Sequence, residues 1–246
     1  MNSNDNVRWS SRFAFLMAAV GSAVGLANIW RFPYTAGVSG GAAFVLVYLG
    51  AVILLALPLV IAELTLGRRG KGAPPTAIRN VARESGLSPN WGWMGVILGG
   101  FGGMLALSFY SVVGAWTMAY ALEVARGSLQ GVSIEGAQQV FGALNGNPWT
   151  LLAWFTAFIG ATIFISARGV NAGVERAVKL MMPALFVLLL MMVGYAVRVG
   201  DFARAVEFLF TPDFSKLDTG IVLAAFGQAF FSVSVGLTAL VAYGAY

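Results

Sequence analysis

The chain has 246 residues, 59% of them hydrophobic and only 10% charged, with a net charge of +5 and a mean hydropathy of +0.80. A water-soluble domain carries about 25% charged residues, so these proportions exclude an ordinary aqueous surface and make lipid the solvent. Cysteine and histidine are both absent, which removes disulfides, thiolate metal sites, Cys–His nucleophile pairs and a histidine proton relay.

In chain order, residues 1–12 are polar and no small-residue cleavage signal follows the first apolar run, so that run reads as an uncleaved span. Span one, residues 13–36, is long enough to cross a bilayer. Its residues 21–33 read Gly-Ser-Ala-Val-Gly-Leu-Ala-Asn-Ile-Trp-Arg-Phe-Pro. Irregular backbone at membrane depth is tolerated only where protein or a water-filled cavity surrounds it, and an arginine inside a span marks a functional site. Span one is therefore expected to be a broken helix beside a solute or ion pathway.

Ser39-Gly40-Gly41 makes a tight turn into span two, residues 41–66. Residues 67–93 form a long basic joint with Pro74, Pro75 and Pro89. Span three, 94–125, exceeds a simple crossing and is expected to tilt or project. A Gly-, Gln- and Ser-rich joint, 126–147, leads to span four, 148–166. Residues 167–173 connect it to span five, 174–198, and the mixed segment 199–219 follows. Span six, 220–246, is interrupted by Ser232, Ser234 and Gly236, much as Ser22, Gly25 and Asn28 interrupt span one. No polar flank follows it, and the parent protein is expected to continue beyond Tyr246.

Ten of the fifteen basic residues fall before span one, between spans two and three, and between spans four and five. The positive-inside rule then places the N-terminus in the cytoplasm and residues 126–147 and 199–219 outside. These charges orient the chain in the plasma or inner membrane. They do not read as a nucleic-acid surface.

The motif at 21–33 resembles the neurotransmitter:sodium symporter family, in its bacterial amino-acid transporter branch. The resemblance continues through Gly40-Gly41-Ala42-Ala43-Phe44, Pro58 and Glu63 to Gly67-Arg68-Arg69, recurs at Phe109-Tyr110 and Ala115-Trp116-Thr117, and returns at Gly227–Gly236. It implies an all-α membrane protein built of two inverted five-span repeats. This chain would hold six transmembrane helices: the first repeat, plus the first helix of the second, with spans one and six discontinuous. The expected division is a cytoplasmic segment 1–12, a first repeat 13–199, an external loop 200–219 and a sixth span 220–246. Interrupted spans in corresponding positions of two halves point to a transport site.

The resemblance also implies residue roles. A first sodium site falls on the Ala23 carbonyl, the Asn28 side chain, and the hydroxyl and carbonyl of Ser232. A second falls on the Gly21 and Val24 carbonyls, with its other ligands in span eight. The substrate carboxylate falls at the amides of Leu26 and Ala27, where a half-helix begins and its free N–H groups attract anions, with the Tyr110 hydroxyl as a second donor. Phe231 is the lid, and Ala106, Ser234, Leu237 and Thr238 line the side-chain pocket. Arg31 matches the external gate and Trp9 belongs to the inner gate, although Asn6 stands where the family usually has a basic residue. Gly173 and Pro183 match a spacing that lets span five unwind; a simple proline kink is the plainer reading. Tyr48, Gln228 and Ser232 match chloride-site positions, while the position that decides chloride dependence lies in span seven. Thr238 stands where the family often has glycine, and Gly25 where its monoamine carriers have aspartate. Glu63 matches a buried acid of the family, with a simple snorkel or a pairing with Arg68 as the alternative reading.

The expected function is a sodium-coupled amino-acid symporter working by alternating access, with an apolar or aromatic substrate favoured because Ala106 and Leu237 are not bulky. A non-transporting sensor or scaffold on the same fold is the alternative, and sodium-dependent ligand binding separates the two. An intramembrane enzyme would need a Ser–Lys or paired-carboxylate arrangement, and Lys71, Lys179 and Lys216 all fall in loops or at span ends.

Overall fold

The computed structural model of the chain describes residues 11–25 and 27–245. All regular structure among them is helical. In chain order the helices are α1 (Arg12–Ala23), α2 (Phe32–Val38), α3 (Ala42–Gly70), α4 (Pro74–Glu84), α5 (Pro89–Ala125), α6 (Ile134–Gly146), α7 (Pro148–Ser166), α8 (Ala172–Val199), α9 (Phe202–Phe210), α10 (Thr219–Val233) and α11 (Ala239–Ala245). Helices α3, α5, α7 and α8 are each long and apolar enough to cross a membrane. Their apolar side chains point outward: Leu54, Met104 and Leu190 are 73%, 68% and 71% exposed. A surface of that kind is stable only against lipid or other apolar protein.

Helix starts follow the side chains that cap them. Ser11, Ser133, Asn147, Asp201 and Asp218 each accept a backbone N–H from the first turn of α1, α6, α7, α9 and α10, satisfying donors that a helix leaves open. Sequence pattern alone treats 67–93, 126–147 and 199–219 as joints, yet each contains a helix: α4, α6 and α9. Their signals were local, a proline pair opening α4 and Ser or Asp caps on the other two.

Close packing is carried by glycine. A Cβ on Gly67 would strike the Val241 carbonyl, and one on Gly244 the Leu64 carbonyl, so α3 and α11 meet backbone to backbone. Small residues at such crossings let membrane helices approach. A Cβ on Gly114 would run into the Phe158 ring, which seats α5 on α7. The first half of α3 lies beside α10 and its second half beside α11. A core of Ala36, Phe44 and Ala225, flanked by Phe32 and Tyr48, ties α2, α3 and α10 together, with the Phe32 and Tyr48 rings 4.7 Å apart.

Candidate functional site

Two interruptions of helix meet inside this frame. The last turn of α1 closes with a 2.7 Å bond from Val24 N–H to the Val20 carbonyl. Beyond it the chain turns extended, and among the described residues the carbonyls of Gly21, Ala23 and Val24 lack the usual i+4 backbone donor. A π-helical turn, Ala27–Arg31, then leads into α2. Opposite, α10 ends at Val233 and α11 begins at Ala239. Between them Ser234, Gly236 and Thr238 have φ of 54°, 89° and 56°. Glycine tolerates that region freely, whereas a β-branched threonine there is strained.

Asn28 joins the two breaks. Its Nδ2 donates to the Ala23 carbonyl at 2.5 Å and to the Ser232 carbonyl at 3.4 Å. The three residues expected to supply the first sodium site thus converge on one side chain. Turning the amide over would place Oδ1 among the same carbonyls, and only hydrogen-bond partners distinguish the two orientations. In that second orientation the cluster would be all oxygen, the donor type hard cations take. Gln228 makes a second link, donating from Nε2 to the Ala27 carbonyl at 2.9 Å and to the Ser232 Oγ at 3.3 Å. It is fully buried, and its Oε1 has no donor among the described residues.

Gly21 and Val24 lie on another side of α1. They line an apolar cleft of about 460 Å³ with Val178, Met182 and Leu185 of α8. A Cβ on Gly21 would be 3.2 Å from the Met182 sulfur.

The substrate-side positions gather around Tyr110. A Cβ on Gly25 would stand 3.9 Å from its hydroxyl oxygen, and its ring centroid is 6.2 Å from that of Phe231. Gly102, Ala106 and Tyr110 are spaced four apart and share one face of α5. A Cβ on Gly102 would lie 3.3 Å from Leu237 Cδ2, and one on Gly99 would collide with Thr238 Oγ1. The interrupted segment 234–238 therefore rests on the glycine-rich π-helical stretch Val96–Gly102 of α5. Above, the Arg31 guanidinium sits 5.2 Å over the Phe231 ring, at the floor of a cavity of about 400 Å³ that also includes Trp30, Tyr34 and Phe109. An arginine over an aromatic face is held by cation–π attraction.

Leu26 and Trp9 lie outside the described residues. Gly173 packs against the end of α7, since a Cβ there would strike the Ile165 carbonyl, and Pro183 sits inside α8. Of the three chloride-site positions, Gln228 and Ser232 are bonded to each other. Tyr48 instead contacts Phe32 and Phe44 and makes no hydrogen bond with either among the described residues. Glu63 neither snorkels nor pairs with Arg68: its Oε1 accepts the Gly236 N–H at 2.7 Å, because the break in α10–α11 frees that donor. The contacts of Gly25, Glu63 and Gly99 escape a reading of motifs. The one local signal was the run Gly99-Gly100-Phe101-Gly102-Gly103, too glycine-rich for a span interior without a neighbour pressing on it.

The sequence profile of the Sodium:neurotransmitter symporter family matches residues 6–136 and 138–246. The uncharacterized sodium-dependent transporter YhdH of Bacillus subtilis is 39% identical over 246 residues, covering 100% of this chain and 53% of that protein. An uncharacterized sodium-dependent transporter of Haemophilus influenzae is 32% identical over 254 residues, covering 100% of this chain and 55% of its own length. Among solved structures, MhsT in complex with L-phenylalanine matches with a TM-score of 0.85 and 42% identity, over 97% of this chain and 53% of that one. The chain spans about half the length of the relatives it matches.

Proposed function

The chain belongs to the sodium:neurotransmitter symporter family, a class of transporters rather than enzymes, and on that footing we propose that it forms the ion- and substrate-binding half of a sodium-coupled amino-acid symporter in the plasma membrane. Six spans cross the bilayer, the N-terminus is cytoplasmic, and residues 13–199 make the first of two repeats. Spans one and six are the discontinuous ones, α1 with α2 and α10 with α11.

The observation that carries this reading is the Asn28 amide bridging the Ala23 and Ser232 carbonyls across 204 residues of chain. A scaffold has no use for carbonyls released from their helical partners and gathered at two breaks, whereas a dehydrated sodium ion does. In the proposed site Ala23, Asn28 and Ser232 hold one Na⁺, and Gly21 and Val24 offer carbonyls to another. The amino-acid carboxylate meets the amides of Leu26 and Ala27 and the Tyr110 hydroxyl. Ala106, Ser234, Leu237 and Thr238 surround its side chain, which is apolar or aromatic, in keeping with the phenylalanine bound by MhsT. Phe231 closes above it under Arg31, Trp9 belongs to the inner gate, and Gly173 with Pro183 lets the inner end of α8 unwind. Gln228 and Ser232, with Tyr48, mark where chloride would act.

The test uses this chain together with the remainder of the fold that its relatives carry. Binding of L-[³H]phenylalanine is measured by scintillation proximity in NaCl and in choline chloride. Saturable binding in sodium alone is the expected result; equal binding in both salts, or none for any apolar or aromatic amino acid, would remove the proposal.

A further inference from the structure

A cleft of about 640 Å³ lies between α4 and the start of α5, apart from every residue assigned to ions or substrate. It exists because glycines pin α4 in place. A Cβ on Gly70 would strike the Ala77 carbonyl, one on Gly92 would stand 2.9 Å from the Pro75 carbonyl, and one on Gly95 2.7 Å from the Pro75 nitrogen. Asn80 adds a 2.9 Å bond from its Nδ2 to the Gly70 carbonyl. With Ala77 and Ala82 buried beneath the helix, Arg79 and Arg83 are left four apart on its open face.

Both arginines line the cleft, with Asn90 beside them and Trp93 and Val96 on the facing wall. Their charge is not spent locally. The nearby acid Glu84 is engaged by Arg69 at 2.9 Å, and no carboxylate among the described residues lies within ion-pair distance of Arg79 or Arg83. The opposite wall is of another kind. Trp93 and Val96 are 55% and 57% exposed, and the apolar surface runs on from them along α5. Tryptophan at the end of a spanning helix sits at headgroup level. One end of the cleft thus offers two guanidinium forks, and the other an indole and a path to the acyl region.

We propose that this cleft binds the phosphate of an anionic phospholipid, Arg79 and Arg83 taking the phosphodiester oxygens and Trp93 and Val96 lying against the acyl chains. Planar guanidiniums match phosphate oxygens in pairs, and basic pockets at the cytoplasmic ends of spans recognise lipid headgroups. The inference rests on the membrane placement proposed above. Free phosphate shares the charge of this ligand but lacks the apolar part.

The test measures binding to the purified transporter carrying this chain, in neutral detergent, by native mass spectrometry. The probes are dioctanoyl phosphatidylglycerol, dioctanoyl phosphatidylcholine and inorganic phosphate. Phosphatidylglycerol is expected to bind, and to bind about tenfold more weakly to Arg79→Gln/Arg83→Gln, because both arginines are exposed and solvent-exposed charge contacts are individually weak. The Arg79→Lys/Arg83→Lys variant keeps the charge and guards against misfolding, and is expected to retain part of the affinity. Equal binding of the two lipids, equal binding by the Gln variant, or inorganic phosphate matching phosphatidylglycerol would each overturn the proposal. Sodium-dependent phenylalanine binding on the same samples reports the transport reading separately, so either can fail while the other stands.

Discussion

The Tyr110 hydroxyl oxygen lies 3.9 Å from the point where a side chain on Gly25 would begin. Among the described residues no other contact falls within 4 Å of that point, so the position leaves room beside the hydroxyl for a group the protein itself does not supply.

The first prediction follows from that space. A substrate must bring its own carboxylate, so phenylalanine is expected to bind and phenethylamine is not. Leaving donors of such a site unpaired costs on the order of 2–5 kcal/mol, a loss of at least thirtyfold in affinity. Gly25→Asp fills the space with a second carboxylate and is expected to abolish phenylalanine binding. Competition against L-[³H]phenylalanine in high sodium decides both; an amine that competes as well as its parent amino acid would refute the carboxylate assignment.

Asn28→Leu is expected to weaken sodium and substrate together. The substitution removes the amide that spans Ala23 and Ser232, and with it the oxygen ligand proposed for sodium. Because coupling between ligands is reciprocal, the sodium concentration that half-saturates phenylalanine binding should rise at least about tenfold, the scale of one charge-assisted contact. An unchanged sodium dependence would show that Asn28 only packs the helices.

Gly99 and Thr238 form a testable pair. Gly99→Ala puts a Cβ into the Thr238 hydroxyl and is expected to destabilise by about 1–3 kcal/mol, as overpacking does. Thr238→Gly relieves both the crowding and the φ of 56°, so the double variant should recover most of the loss. The apparent melting temperatures of the four proteins make the cycle. Additive losses would mean the two residues do not press on each other. Thr238→Gly should also widen the pocket and improve competition by tryptophan relative to leucine.

Glu63→Ala removes the acceptor for the Gly236 N–H, while Glu63→Gln keeps one. The alanine variant is expected to lose about 1–2 kcal/mol, seen as a lower melting temperature, and the glutamine variant less than half of that. Similar losses in both would mean that the charge, not the hydrogen bond, holds the interrupted segment.

Much of this was legible in advance because it is local. A span is a run of apolar residues, and α3, α5, α7 and α8 stand where hydropathy put them. Gly-Ser-Ala-Val-Gly-Leu-Ala-Asn followed by Arg and Pro reads as an irregular stretch of span one, and α1 ends within it, at Ala23. What escaped is relational. Gly67 and Gly114 look alike in a sequence; one receives a carbonyl and the other a phenyl ring. Glu63 resembled a snorkelling acid because its partner, a backbone N–H 173 positions later, has no side chain to betray it. The helices α6 and α9 were hidden by the mixed segments around them and by their short length, while their caps at Ser133 and Asp201 were the true signal.

The crossing of α3 and α11 fixes what can move with what. Where Gly67 meets Val241 and Gly244 meets Leu64 there is no side-chain layer to slide on, so tilting Ala239–Ala245 drags the Leu57–Gly70 stretch along as one lever. The pivots left to that lever are the residues between Val233 and Ala239, where the φ values of Ser234, Gly236 and Thr238 interrupt the helix, and its motion is passed to the Val96–Gly102 stretch of α5 on which they rest.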